Sequence, residues 1–211
     1  MSVVGDILQN AAVGVAVADR PDDLKAFVKP GCAAAIWRRP PCDRLQAWVG
    51  HLDPATLPQG RRVVHRTQVR ATVVAFCEAS QTPPGAGRDD LIDNIEALSE
   101  LFADLMNARY LRLRLDVVST NACRKFHIDA ITARLVCTYR GTGTQYGISR
   151  DGEGPKRVFT TPTGAPILLR GRLWPEKPAS GLLHRSPPIE GTGETRLVLV
   201  LDPIFDSEDA I

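Results

Sequence analysis

Two histidines and one aspartate in the second half of the chain are residue types that bind divalent transition metals. His127 and Asp129 are separated by one residue, and residues two apart on a strand point to the same face. His184 follows 57 residues after His127. Two imidazoles and one carboxylate bind one side of a metal ion and leave other coordination positions open. The pattern therefore predicts a metal site formed by His127, Asp129 and His184.

An arginine near the end of the chain could complete this site. Arg196 follows His184 by twelve residues and lies at the start of the last apolar run. Its planar guanidinium can donate two parallel hydrogen bonds to one carboxylate. We expect Arg196 to bind the distal carboxylate of a 2-oxo acid that chelates the metal through its other end.

Other residues leave the choice of metal open. Cys123 lies four residues before His127 and could contribute to a zinc site, although a free cysteine more often fills a core. His51 and His65 lie outside the predicted strand region, and we expect both to be structural or exposed. The His/Asp/His set does not itself exclude Zn(II), which binds such ligands more tightly than Fe(II) does.

The hydrophobic pattern changes near residue 110. Before it the chain predicts helices and loops, and the strongest helix runs from Asp89 or Asp90 to about Ala108, with apolar residues every three or four positions. After Tyr110 the period falls to two, which indicates half-buried strands. The candidate strands cover residues 111–117, 126–130, 134–139, 157–160, 165–170, 182–185 and 195–201.

Several short strands separated by Gly- and Pro-rich turns are typical of a β-sandwich, jelly roll or barrel. We therefore predict one α+β domain across residues 1–211. A mainly helical support region, 1–109, would pack against a β core, 110–205. No dinucleotide-binding fingerprint, Walker loop or internal repeat is present in the sequence.

The order His-x-Asp, a distant His, and an Arg about a dozen residues later resembles the 2-oxoglutarate/Fe(II)-dependent dioxygenases. The resemblance covers roughly Leu111 to Leu201 and implies a double-stranded β-helix, or jelly-roll, core with helices packed on one side. It implies that His127, Asp129 and His184 bind Fe(II). The implied activity is that of an oxidoreductase that uses 2-oxoglutarate as co-substrate and hydroxylates an unknown substrate, either a small molecule or a protein side chain.

The same resemblance assigns the co-substrate contacts. Arg196 would anchor 2-oxoglutarate, but Val198 stands where some dioxygenases have a serine. Tyr139, on the strand after the His-x-Asp pair, is the candidate for a second anchor.

Three segments of the sequence resemble those of a bacterial family known as domain of unknown function 1826. They are residues 123–129, residues 134–144 and the Leu183-His184-Arg185-Ser186-Pro187-Pro188 segment. Members of that family are often encoded near zinc-handling GTPases, so the resemblance implies a link to zinc homeostasis.

Composition excludes some partners. The formal net charge is +2, and the arginines form no basic stripe, so we expect neither a nucleic-acid nor a membrane partner. No apolar run reaches the ~18 residues that a membrane helix needs. The five cysteines are odd in number, none forms a C-x-x-C pair, and no basic segment of a secretory signal is present. We therefore expect a cytoplasmic protein with reduced thiols.

Three functions remain open at the level of sequence. The first is the dioxygenase. The second is a non-catalytic accessory protein that binds Zn(II) through the same three ligands and has no need of Arg196. The third is a β-sandwich interaction module, which would not be stabilised by any divalent ion.

Overall fold

A computed structural model describes residues 3–4, 13–149 and 154–205. This part of the chain forms a mixed α/β structure. Its strands are β1 (Val3–Val4), β2 (Gly14–Ala18), β3 (Cys32–Trp37), β4 (Gly60–His65), β5 (Tyr110–Val118), β6 (Ala133–Arg140), β7 (Gln145–Ile148), β8 (Phe159–Thr160), β9 (Pro166–Arg170), β10 (Leu182–Arg185) and β11 (Arg196–Ile204). Its α-helices are α1 (Asp43–His51), α2 (Val69–Ala79) and α3 (Ala86–Met106), and 3-10 helices cover Pro21–Val28, Pro54–Thr56 and Arg66–Gln68.

The strands form a large and a small sheet. The large sheet has the order β1-β2-β3-β9-β6-β11-β5-β4, and the small sheet has the order β10-β7-β8. Every neighbouring pair is antiparallel except β2 and β3. The small sheet and the central strands of the large sheet lie on either side of one cavity, which is lined by residues of β5, β6, β10 and β11.

The first half of the chain contains the predicted helices but also supplies β1 to β4, which the sequence pattern did not predict. Strand β3 shows why. Its Ala33, Ala34 and Ala35 are fully buried, but alanine is depleted in strands and gives no alternating pattern. Pairing with β2 and β9 and burial of both faces in the two hydrophobic clusters override that local preference.

The predicted long helix is confirmed as α3, which begins three residues before Asp89. It ends at Met106, where Asn107 adopts a left-handed conformation with φ of 50° and its backbone N–H bonds to the helix end. The apolar stripe of α3 is buried in the main core together with odd-numbered residues of β5, β6 and β11.

The residue alternation along these three strands separates two environments. Odd-numbered side chains face the helices, and even-numbered side chains such as Arg134 and Arg196 face the small sheet or the cavity. Arg140, the last residue of β6, is an exception, because it donates to the carbonyls of Val49 and Leu52 at the end of α1. One predicted strand, 126–130, does not form. In its place, His127 makes a single antiparallel bridge to His184. Within the described ranges, no helix combines the length and apolar character required to cross a membrane.

Candidate metal centre

The three predicted ligands converge although they come from separate parts of the chain. Their ligand atoms all lie within 4.8 Å of one another. The Nε2 atom of His184 is 3.0 Å from Oδ2 of Asp129, and Nε2 of His127 is 3.5 Å from Oδ1. The two imidazole ring centres are 4.6 Å apart. The tertiary structure therefore forms a compact group of two imidazoles and one carboxylate.

Backbone pairing holds the two histidines in place. The amide of each donates to the carbonyl of the other, at 3.0 Å in both directions. Nδ1 of His127 lies 2.8 Å from the carbonyl oxygen of Lys125. Because a carbonyl can only accept, Nδ1 carries a proton, and Nε2 is the ring nitrogen that faces Asp129. A histidine that ligates a metal requires such a fixed tautomer.

Backbone hydrogen bonds connect the loop that carries Asp129 to the segment just after β9. The carbonyl of Asp129 accepts a hydrogen bond from the amide of Arg172 at 2.8 Å, and the amide of Gly171 donates to Thr132 at 2.9 Å. A Cβ at residue 171 would lie 1.8 Å from the carbonyl oxygen of Ile131. Glycine is therefore required for this close approach, a role that no pattern in the sequence reveals.

The electrostatics of the group suit a divalent cation. Burial alone would raise the pKa of Asp129, but its contact with His184 and the charge of Arg134 lower that pKa to about 2. Burial lowers the pKa of His184, although Asp129 opposes this. At neutral pH the group therefore presents an ionised carboxylate and a neutral His184. Oδ2 of Asp129 is buried and accepts no aligned hydrogen bond from the described residues, so it is available to a metal ion.

Arg134 connects Asp129 to the large sheet. Its Nη1 lies 2.7 Å from Oδ1 of Asp129. The same guanidinium donates two hydrogen bonds to Asp202 on β11, at 2.6 and 2.9 Å. Burial would lower the pKa of Arg134, but these carboxylates raise it above the ordinary value. Arg134 is thus a permanent cation that orients the carboxylate of Asp129.

Arg196 and the two histidines line the same cavity, and the volume of this cavity is about 130 Å³. The Arg196 side chain is almost completely buried. The guanidinium donates to the carbonyl of Thr142 at 2.6 Å and to the hydroxyls of Ser186 and Thr138 at 3.3 Å each. Burial lowers the pKa of Arg196 to about 10, with Glu194 opposing the shift. Arg196 therefore remains charged at neutral pH.

Tyr139 does not lie in this cavity, and its prediction as a second co-substrate anchor is wrong. Its hydroxyl donates to Oδ1 of Asn94 on α3 at 2.8 Å. The side chain is fully buried on the helix side of β6, and burial raises its pKa well above the ordinary value. Side chains alternate along a strand, so Tyr139 points away from the face that carries Arg134.

The remaining candidates lie apart from the ligand group. Cys123 is exposed and lines the cavity, but it does not belong to the metal-binding group found among the described residues. His51 contacts the carbonyl of Ala47, and His65 contacts the hydroxyl of Thr67. Neither histidine lines the cavity.

Comparison with known proteins gives the family of the chain. The family described as "Protein of unknown function (DUF1826)" matches residues 18–202. The chain belongs to the DUF1826 family. No curated protein matches this DUF1826 chain significantly.

Two solved plant structures share the fold of this DUF1826 protein. The dioxygenase for auxin oxidation 1 from Arabidopsis thaliana, in a complex with 2-oxoglutarate, has 10% sequence identity and a TM-score of 0.52, covering 94% of this chain and 97% of that one. The dioxygenase for auxin oxidation from rice has 12% identity and a TM-score of 0.54, covering 93% of this chain and 84% of that one. The DUF1826 chain therefore has a sheet-rich core similar to that of 2-oxoglutarate oxygenases.

Proposed function

We propose that this protein is a non-haem Fe(II)/2-oxoglutarate-dependent dioxygenase that hydroxylates a substrate. The observation that carries the proposal is the presence, around one cavity, of the His127/Asp129/His184 group and the buried Arg196. The first supplies ligands for a metal, and the second supplies a fixed positive charge for a carboxylate.

The strand order supports a double-stranded β-helix as the core. Along the chain, β5, β6, β9 and β11 are adjacent members of the large sheet, whereas β7, β8, β10 and the His127 bridge belong with the small sheet. The chain passes repeatedly from one sheet to the other between residues 110 and 204. Such winding is typical of a jelly roll with two facing sheets, and a backbone bridge sets His127 and His184 side by side.

The spacing between the ligand group and Arg196 suits a 2-oxo dicarboxylate. Ser186, which accepts a hydrogen bond from Arg196, lies two residues after His184. Two residues of extended chain span roughly 7 Å. One end of 2-oxoglutarate could therefore lie at the metal ligands while the distal carboxylate contacts Arg196.

The hydroxyls beside Arg196 take the place of the predicted Tyr139 anchor. Ser186 and Thr138 both contact its guanidinium, so a carboxylate bound to Arg196 could accept hydrogen bonds from either. This arrangement also accounts for Val198, because the hydroxyl that some dioxygenases carry at that point is supplied from other segments. Val198 instead adds to the apolar lining of the cavity.

The protein residues then have distinct tasks. His127, Asp129 and His184 would hold Fe(II), Arg134 would orient Asp129, and apolar lining side chains would exclude water. Fe(II) and 2-oxoglutarate, when bound, supply the oxidising chemistry, in which dioxygen and 2-oxoglutarate give succinate, carbon dioxide and a hydroxylated substrate.

An anaerobic titration tests the proposal. Apo-protein receives Fe(II) and then 2-oxoglutarate, and the visible metal-to-ligand charge-transfer band is recorded. We expect a band in the wild type and in Arg62→Met, a control on the exposed edge strand β4. The band should be absent in His127→Ala and Arg196→Met, with circular dichroism confirming that both variants are folded.

Two results would contradict the proposal. If the wild type gives no band but binds Zn(II) tightly, and His127→Ala loses that binding, the protein is better described as a zinc-binding accessory protein. If Arg196→Met weakens metal binding and 2-oxoglutarate binding equally, Arg196 does not anchor the co-substrate.

A further inference from the structure

Arg114 differs from the other arginines that line the cavity. Arg196 has three hydrogen-bond acceptors, Arg134 has two carboxylates, and Arg185 donates to a glutamine side chain at 2.8 Å. Arg114 makes no side-chain hydrogen bond to the residues that the structure describes, and its Nε is buried without a partner. Its nearest carboxylate oxygen, Oδ2 of Asp202, is 4.0 Å away.

This guanidinium is incompletely neutralised. Both oxygens of Asp202 already accept hydrogen bonds from Arg134. The Arg114 side chain is only 22% exposed, and burial followed by the charge of Arg134 lowers its pKa. A buried cation without acceptors is unfavourable. An incoming anion would supply the missing acceptors through charge-assisted hydrogen bonds.

The carboxylates around the cavity leave Arg114 without an acceptor. The cavity has four guanidinium groups, those of Arg114, Arg134, Arg185 and Arg196. Four carboxylates face or pair with them, those of Asp116, Asp129, Asp202 and Glu194. None of these carboxylates comes closer to Arg114 than 4.0 Å. A divalent metal and a 2-oxoglutarate dianion bound at His127, Asp129, His184 and Arg196 would cancel each other's charge and leave Arg114 without an acceptor.

Arg114 is also separated from the proposed co-substrate anchor. On the paired strands β5 and β11, Arg114 lies opposite Val200, whereas Arg196 lies opposite Val118. Four residues of strand correspond to roughly 13 Å. The guanidinium of Arg114 lies 4.0 Å from Asp202, whereas that of Arg196 donates to Ser186 and Thr138, so the two guanidinium groups have different surroundings.

We propose that Arg114 binds a carboxylate or phosphate group of the molecule that is oxidised, so that the substrate is a small organic anion. Its role as a substrate contact rests on the proposed dioxygenase function. Anion binding at Arg114 can be measured independently of catalysis.

The test uses protein loaded with Zn(II), which does not support oxidation, and saturated with 2-oxoglutarate so that Arg196 is occupied. Propionate, its neutral isostere propionamide, and inorganic phosphate are titrated separately by calorimetry. We expect propionate or phosphate to bind and propionamide not to bind, and the stronger of the two anions identifies the substrate's anionic group. Arg114→Met should weaken anion binding about tenfold or more. Arg114→Lys should retain part of it, and Arg62→Met should behave as wild type.

The outcomes separate this inference from the proposed function. Equal binding of propionate and propionamide, or anion binding unaffected in folded Arg114→Met, would overturn the inference even if the Fe(II)/2-oxoglutarate band forms. Loss of that band in Arg114→Met and its retention in Arg196→Met would instead make Arg114 the co-substrate anchor, which also overturns it. If no band forms in the wild type but Arg114→Met still loses anion binding to apo-protein, the anion site stands and the dioxygenase proposal fails.

Discussion

The two faces of the large sheet, where β5, β6 and β11 lie side by side, are both buried but differ in chemistry. The face towards the helices carries leucines, Cys137 and Tyr139, whereas the face towards the small sheet carries Arg114, Arg134, Arg196 and Asp202 among valines. Apolar burial stabilises the fold at about 25 cal/mol per Å². Buried charges must recover a large desolvation cost and add little net stability. The helix face therefore contributes most of the stability of the fold, whereas the cavity face carries the polar groups that could bind a ligand.

The largest expected effect comes from opening a space on the helix face. Phe102 of α3 is fully buried in the main core. Phe102→Ala should lower the free energy of unfolding by about 3–5 kcal/mol, because apolar contacts are lost and a cavity remains. Urea denaturation measures this change. Metal affinity, measured below the unfolding transition, should match that of the wild type. A loss of metal affinity in the folded variant would contradict the assignment of stability to the helix face and of metal binding to the cavity face.

On the cavity face, Arg134→Met should act on the metal site. Without the guanidinium the carboxylate of Asp129 loses its orienting partner, and Zn(II) affinity should fall about 10- to 100-fold. Isothermal titration calorimetry gives the affinity, and Arg134→Lys should restore part of it. Arg62→Met, on the exposed edge strand β4, is the control. Unchanged affinity in a folded Arg134→Met protein would show that Asp129 needs no such partner.

The carboxylate of Asp129 should also make stability depend on pH. Its pKa in the folded protein is about 2, compared with an ordinary value of 3.8. A lowered pKa stabilises the folded state above about pH 4, and this contribution is lost as the pH falls towards 2. Apo wild type should therefore lose on the order of 2 kcal/mol more than Asp129→Asn between pH 5 and pH 2. Urea denaturation at each pH gives the free energy of unfolding of the two proteins. The same pH dependence in both would argue against an ionised Asp129 carboxylate that is stabilised by its contacts with His184 and Arg134.

The smallest effect is expected at Tyr139, which the sequence suggested for the cavity and the structure places on the helix face. Tyr139→Phe removes the hydrogen bond to Asn94 and should lower the free energy of unfolding by about 1 kcal/mol. The affinity for 2-oxoglutarate, followed by the charge-transfer band, should not change. A loss comparable to that of Arg196→Met would return Tyr139 to the co-substrate site.

Local pattern in the sequence predicted the elements with a strong hydrophobic period and one group of candidate metal ligands. The alternation after Tyr110 predicted β5, and the three- to four-residue spacing of apolar residues predicted α3. The order of His127, Asp129, His184 and Arg196 was sufficient to propose that they belong to one site, because each residue type has a specific chemistry.

Which faces and segments meet depends on strand pairing and packing between distant parts of the chain. Alternation shows that Arg134, Val136 and Thr138 share one face of β6. It does not show that this face lines the cavity, or that the opposite face, which carries Tyr139, meets α3. The alanine-rich β3 has no local strand signal, because its stability comes from strands distant in sequence. Arg134, Ser186 and Arg114 acquire their roles through contacts across the two sheets, and such contacts depend on strand pairing rather than on local pattern.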